Sequence, residues 1–384
     1  MRVLFSSTEG SGHFNPLLPF IDACVARGDD VLLVVPPKLV TVASKLGVPF
    51  RVGAEPAAEA SGELWRRFPQ VSPDEAAVLA NREFFGRLCT AAMLPAVETA
   101  CREWRPDLIL HEPCEYASAV VAARHGIPQA QVGISLAAIE ASSLGLAEPA
   151  LARYGHETVE RLRSAPYLTR FPASLDPSPF AATRRFRETG EKTEPLPDWW
   201  GGSTAPLVYL TFGSVVSSSP AAAAAFRTAL DAVDGLPVRV LLTVGRAVDP
   251  AALGPVPANV HVEPWVPQAD VLGSADVVVC HGGSGTTFGA LAAGVPLVVV
   301  PLFADQPANG RLVEAAGAGL LVAPSGGAPG TMGVPGPDDV PRIRAAVEAV
   351  LADASYRAAA QRIAAEVGML PTVGEVLGEV QSLA

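Results

Sequence analysis

The chain has 384 residues, 49% of them apolar, with a formal net charge of -11. That length suggests two domains, on a soft prior of ~150 residues each, and the apolar share gives each a core. The acidic balance argues against nucleic acid and anionic membrane surfaces as partners, but not against a nucleotide held by local dipoles.

Cys24, Cys89, Cys101, Cys114 and Cys280 are scattered, with no CxxC pair. They read as reduced thiols of a cytoplasmic protein rather than a disulfide frame or a zinc site. The Met-Arg start runs into a strand and does not read as a signal peptide. No apolar run approaches ~20 residues, so no membrane span is expected.

In chain order, Val3-Leu4-Phe5 reads as a buried strand that enters a polar glycine turn, Ser6 to Gly12. His13 and Asn15-Pro16 follow, then a helical pattern closed by Gly28, and a strand over Val31 to Val35. This βαβ opening predicts a doubly wound α/β domain. Asn15 stands where GxGxxG needs its third glycine, and Pro36-Pro37-Lys38 replaces the acidic ribose partner. A nicotinamide dehydrogenase is thereby disfavoured. A mixed helix is expected over Pro73 to Trp104, and a strand over Asp107 to His111 that ends in Glu112-Pro113-Cys114-Glu115. Then come a helix to Gly126 and a strand over Ala130 to Ile134. Ser135 to Arg187 reads as helices and loops shaping a variable pocket.

Glu188 to Pro206 is Pro/Gly-rich and reads as an interdomain linker, with Trp199 and Trp200 packed on a domain surface. The pattern then restarts. Strands are expected over Leu207 to Phe212, Val238 to Val244, Val260 to Glu263 and Asp276 to Cys280, with a helix near Ala221 to Val233. His281 sits at a strand end, followed by Gly282, Gly283 and Gly285 and a helical pattern from Ser284. Strand, glycine turn and helix start aim N–H groups and the positive helix end at an anion. Alone, such a turn is common in α/β proteins. Pro296 to Pro301 reads as another buried strand, with Asp305-Gln306 past its end, where ligands of open sheets collect. Gly319 to Val322, a Gly/Pro-rich loop over Pro324 to Pro337, and three helices complete the chain. The division expected is 1–190, a linker 191–205, 206–366, and a C-terminal helix in 367–384 packing back on the first domain.

Five pieces together resemble family 1 glycosyltransferases of GT-B fold, in the bacterial branch that glycosylates antibiotic and other natural-product aglycones. They are GSGHFNP (10–16), YLTFGSV (209–215), VEPWVPQADVL (262–272), CHGGSGTTFGALAAGVPLVVVP (280–301) and ADQPANGRLV (304–313). The resemblance implies two facing Rossmann-like domains with a central cleft. Trp265 would stack on the nucleotide base and the Val266 main chain would read its edge. His281, Gly283, Ser284, Gly285 and Thr286 would hold the diphosphate, with Gly213 and Ser214 approaching it. Gly12 would join the donor site from the first domain. Asp305 and Gln306 would bind sugar hydroxyls, with help from Asn309; N-capping of the next helix is the alternative use of Asp305. A core position is the alternative for Trp265.

His13 would be the general base, since imidazole, with a pKa of about 6.5, can take a hydroxyl proton near neutral pH. Related enzymes carry Asp-Pro where Glu112-Pro113 stands, so Glu112 is the expected partner, with Glu115 and Glu9 as alternatives. The expected reaction is inverting and needs no metal. It moves a sugar, O- or C-linked, from a dTDP- or UDP-sugar, foremost a dTDP-deoxysugar, to a small aromatic or polyketide acceptor. A homodimer is an option. An epimerase or hydrolase on the same frame, and a non-catalytic nucleotide-sugar-binding partner, stay open.

Overall fold

The computed structural model describes residues 1–188, 193–213, 220–246, 248–326 and 333–382. The chain forms two compact units. One comprises Met1–Thr189 and Leu370–Ala384, the other Gly190–Met369.

The first unit is built on β1 (Arg2–Ser6), β2 (Asp30–Val35), β3 (Phe50–Val52), β4 (Leu108–His111), β5 (Gln129–Val132), β6 (Tyr167–Thr169) and β7 (Thr183–Arg185), in the order β3-β2-β1-β4-β5-β6-β7. Its described neighbours pair in parallel, with Phe5 level with Leu33 and Leu110. Val3 and Phe5 pack with Phe20, Ile21 and Leu33 on one face, and Leu4 with Met93, Val97 and Val121 on the other. Both faces are dry, which is why β1 and β2 read as unbroken apolar runs.

The second unit repeats the plan. β8 (Leu207–Thr211), β9 (Arg239–Thr243), β10 (Val260–Glu263), β11 (Val277–Cys280), β12 (Leu297–Val299) and β13 (Gly319–Leu321) lie in the order β10-β9-β8-β11-β12-β13, all parallel. In each sheet the winding reverses direction beside the first strand. That switch point lies between β1 and β4 in one unit and between β8 and β11 in the other. Chain leaving those paired strands diverges and opens a crevice, the usual ligand position of this architecture.

Three segments depart from or refine the sequence expectation. Residues 135–187 are not only helices and loops, because β6 and β7 extend the sheet. Each is three residues long and has Pro166, Pro172, Pro177 and Pro179 around it, so no strand period can develop. The helix expected over 73–104 opens at a Ser72–Glu75 capping box and widens to π geometry over Leu79–Cys89 before resuming as Thr90–Trp104. Gly86 lets that widened stretch press against Ala147 and Ala150, where a Cβ would come within 3.3 Å of both side chains. Trp199 stacks on His261 with ring centroids 4.4 Å apart, and Arg239 sits over Trp200, so both indoles pack on the second unit. Among the described residues, no helix is long and apolar enough to cross a membrane.

Candidate active site

The candidate residues fall into two groups, one in each unit. In the first, β1 ends at Ser6 and the chain turns through Gly10, whose φ of 108° suits glycine. The Gly10 carbonyl accepts the His13 and Phe14 N–H groups and starts a short helix, Ser11–Phe14. His13 is thereby fixed just beyond the C-terminal end of β1. Glu112 follows β4 immediately and is fully buried.

The two meet across the switch point, with His13 Nδ1 3.1 Å from Glu112 Oε2. Thr8 joins them. Its N–H and hydroxyl donate to Glu112 Oε1 at 3.0 and 2.6 Å, and its Oγ lies 3.1 Å from His13 Nδ1. The Cys114 N–H donates to Glu112 Oε2 at 2.7 Å. Burial works against the Glu112 charge. The His13 ring beside it and the Thr8 bonds outweigh that cost and hold the carboxyl below its ordinary value. Thr8 spends its proton on Glu112, so its oxygen can only accept from the imidazole. Carboxylate and hydroxyl oxygen together place the ring proton on Nδ1 and leave the lone pair on Nε2. Phe85, from the widened helix, lies 5.5 Å from the His13 ring, centroid to centroid.

The alternative carboxylates are engaged elsewhere. Glu115 caps the helix Tyr116–His125 through the Ser118 N–H, and Glu9 pairs with Lys38 at 2.6 Å. Gly12 is exposed beside His13, and a Cβ there would meet nothing within 4 Å.

In the second unit His281 follows the last residue of β11, and the helix Ser284–Ala292 starts three residues later. The cap position is Gly283, which has no side chain to hold the helix end. The glycines have a further job. A Cβ on Gly213 would fall 2.8 Å from His281 Cε1 and Nε2, and one on Gly283 would strike Nε2 directly. These two glycines therefore make room for the imidazole. Burial pushes His281 down to about 4, against the opposing pull of Asp305 and the Thr211 main chain. Its Nδ1 is buried without a hydrogen-bond partner among the described residues.

Asp305 precedes the helix Gln306–Ala315, but its side chain does not cap it. It accepts the Ser284 hydroxyl at 2.8 Å instead, tying the two loops together. Asn309 completes that knot by donating to Gly282 O and Ser284 Oγ at 2.8 and 3.0 Å. Gln306 is buried, and its Oε1 accepts the Leu302 and Phe303 N–H groups, which sets the turn after β12. Gly285 is exposed and Thr286 half-buried in the first helical turn. Trp265 is 50% exposed, so it is not a core residue, and Arg246 lies 4.0 Å over its ring. Val266 is half-buried next to it. Ser214 lies outside the described residues.

Sequence reasoning missed Thr8, Cys114, Phe85 and Arg246. None carries a motif of its own, and each matters through what the fold sets beside it. Thr8, Cys114 and Arg246 lie close in sequence to His13, Glu112-Pro113 and Gly245, and Phe85 had no such signal.

Known proteins agree with this architecture. The family model for the C-terminal domain of erythromycin biosynthesis protein CIII-like proteins matches residues 227–383, and that for the N-terminal domain matches 61–167. The L-demethylnoviosyl transferase of Streptomyces niveus is 31% identical over 382 residues, spanning 97% of this chain and 95% of that protein. The elloramycin glycosyltransferase ElmGT of Streptomyces olivaceus is 32% identical over 401 residues, spanning 100% and 97%. Among solved structures, the Streptomyces sp. SF2575 glycosyltransferase SsfS6, complexed with thymidine diphosphate, superposes with a TM-score of 0.76 at 26% identity, covering 100% of this chain and 99% of that one. Glycosyltransferase SnogD from Streptomyces nogalater gives 0.75 at 25% identity, with the same coverage. Sequence and fold thus lead to one conclusion: the chain belongs to the EryCIII-like glycosyltransferases of antibiotic biosynthesis, with the GT-B fold.

Proposed function

We propose that this glycosyltransferase moves a deoxysugar from a dTDP-sugar to a small aromatic or polyketide aglycone, with inversion and without a metal. The observation that carries the reading is the Thr8–His13–Glu112 cluster, in which a buried carboxylate 3.1 Å from Nδ1 fixes the tautomer a base requires. Nε2 takes the proton of the acceptor hydroxyl as its oxygen attacks the anomeric carbon from the face opposite the leaving diphosphate. One C–O bond forms, one breaks, and the configuration inverts. Glu112 stabilises the imidazolium that results.

On the donor side, the neutral His281 ring and the uncapped helix at Gly283 would face the diphosphate charge. Trp265, half exposed, would take the base, and Asp305 the sugar hydroxyls. The thymidine diphosphate bound to SsfS6 favours thymine. Helix dipole and N–H groups are enough to hold a leaving diphosphate, and no step needs a cation.

The deciding experiment is His13→Ala, with turnover and dTDP binding measured separately. Turnover should fall by about 10²–10⁴, the usual contribution of a positioned base, with dTDP affinity unchanged. Retained turnover would remove the mechanism. Turnover should also survive excess EDTA; loss of activity that a divalent ion restores would contradict the metal-free reading.

A further inference from the structure

Cys114 adds a third donor to the cluster. Its Sγ, a His13 ring nitrogen and a Glu112 carboxylate oxygen all lie within 4.8 Å of one another, and the ring nitrogen that faces Glu112 is Nδ1. We propose that these three groups form a binding site for a thiophilic divalent cation of the zinc or cobalt class, and that its occupancy switches the enzyme off.

The donor set is that of a borderline-soft metal: one imidazole, one thiolate and one carboxylate, with a fourth position left for solvent. The spacing already suits it. Bonds of roughly 2.0–2.2 Å to nitrogen and oxygen at near-tetrahedral angles put those atoms roughly 3.3–3.6 Å apart, and the Nδ1–Oε2 separation of 3.1 Å needs to open by only a few tenths of an ångström. The sulfur has to approach by up to roughly 1 Å, within reach of a χ1 adjustment of a half-buried cysteine. The supporting shell is in place, because Thr8 keeps Oε1 and the Cys114 N–H keeps Oε2 while the metal takes the place of the ring proton.

The consequence follows from tautomer chemistry and rests on the reading of His13 as base. A neutral imidazole that binds a metal through Nδ1 carries its one proton on Nε2, and so has no lone pair there to accept a hydroxyl proton. The thiol proton goes to solvent, and the ring proton moves from Nδ1 to Nε2 without net loss.

The test is a Co²⁺ titration of the metal-free full-length enzyme, following thiolate-to-cobalt charge-transfer absorption in the near ultraviolet, with glycosyl transfer assayed under Zn²⁺. One equivalent of Co²⁺ should give the band. It should vanish in Cys114→Ala and persist in Cys101→Ala, a buried thiol elsewhere. His13→Ala should bind Co²⁺ at least about tenfold more weakly. Zn²⁺ should suppress wild-type transfer reversibly with chelator, and Cys114→Ala should need at least about tenfold more Zn²⁺ for half-inhibition of its own metal-free rate. No band, or a band that survives Cys114→Ala, would overturn the site and leave the role of His13 untouched. A Cys114-dependent band with undiminished transfer would overturn the blocking role and, with it, the reading of His13 as base.

Discussion

Each titratable side chain in the two clusters is set by its immediate neighbours. Glu112 stays charged in a dry position because four hydrogen bonds from Thr8, His13 and Cys114 replace its water. His281 takes the opposite course: enclosure keeps it neutral until about pH 4. An unfolded histidine binds its proton near 6.5, so between those values the unfolded chain holds more protons than the native one. Stability conferred at neutral pH is therefore lost as pH falls from about 6.5 to 4, by at most ~3 kcal/mol for a shift of this size. Urea denaturation across that window should show the decline, and His281→Gln should flatten it. An unchanged slope in the variant would assign the loss to other groups.

At the scale of the element, both units use the same device: a buried strand, a turn containing glycine, and a helix start beside the switch point. The two versions differ in what the glycine does. Gly10 supplies a left-handed turn, whereas Gly283 has ordinary backbone angles and is small because the His281 ring lies against it. Gly283→Ala is consequently a test of ring position without backbone strain. It should destabilise the protein by about 1–3 kcal/mol, as overpacking does, and weaken dTDP binding by displacing the imidazole. Gly285→Ala meets open space and should leave stability unchanged. Thermal melts and calorimetric dTDP titrations of the pair would separate collision from general intolerance of the turn.

For the molecule as a whole, the chain leaves the first unit, builds the second, and returns. The returning helix Val373–Gln381 starts at a Thr372–Glu375 capping box and buries Val373, Val376, Leu377 and Val380 against Phe20, Ile21 and Phe186. Arg187 is tied to Leu370 and Pro371, so the outgoing and returning segments are joined at the first unit. Four buried aliphatic side chains at about 1.5–3 kcal/mol each rival the whole stability of a domain, commonly about 5–15 kcal/mol. Truncation after Met369 should thus unfold the first unit, seen as loss of its cooperative transition in calorimetry. A truncated chain with an unaltered melt would show that the helix is dispensable.

The sequence by itself determined the α/β class, the strand–turn–helix character of both site segments, and the family resemblance, because each is a local pattern: a dry strand, a glycine, a helical period. The resemblance also singled out His13 and Glu112, though 99 residues apart, through GSGHFNP and through Glu112-Pro113 standing where related enzymes carry Asp-Pro. Tertiary structure alone decided that β1 and β4 are neighbours, which is what turns Thr8, His13, Glu112 and Cys114 into one cluster. It alone showed that Asp305 holds Ser284 rather than capping its own helix, and that Trp265 stands in solvent under Arg246. Strands β6 and β7 were invisible for the same reason. These two three-residue strands, set among prolines and without an apolar run, have no pattern to read, and they pair at the edge of the sheet.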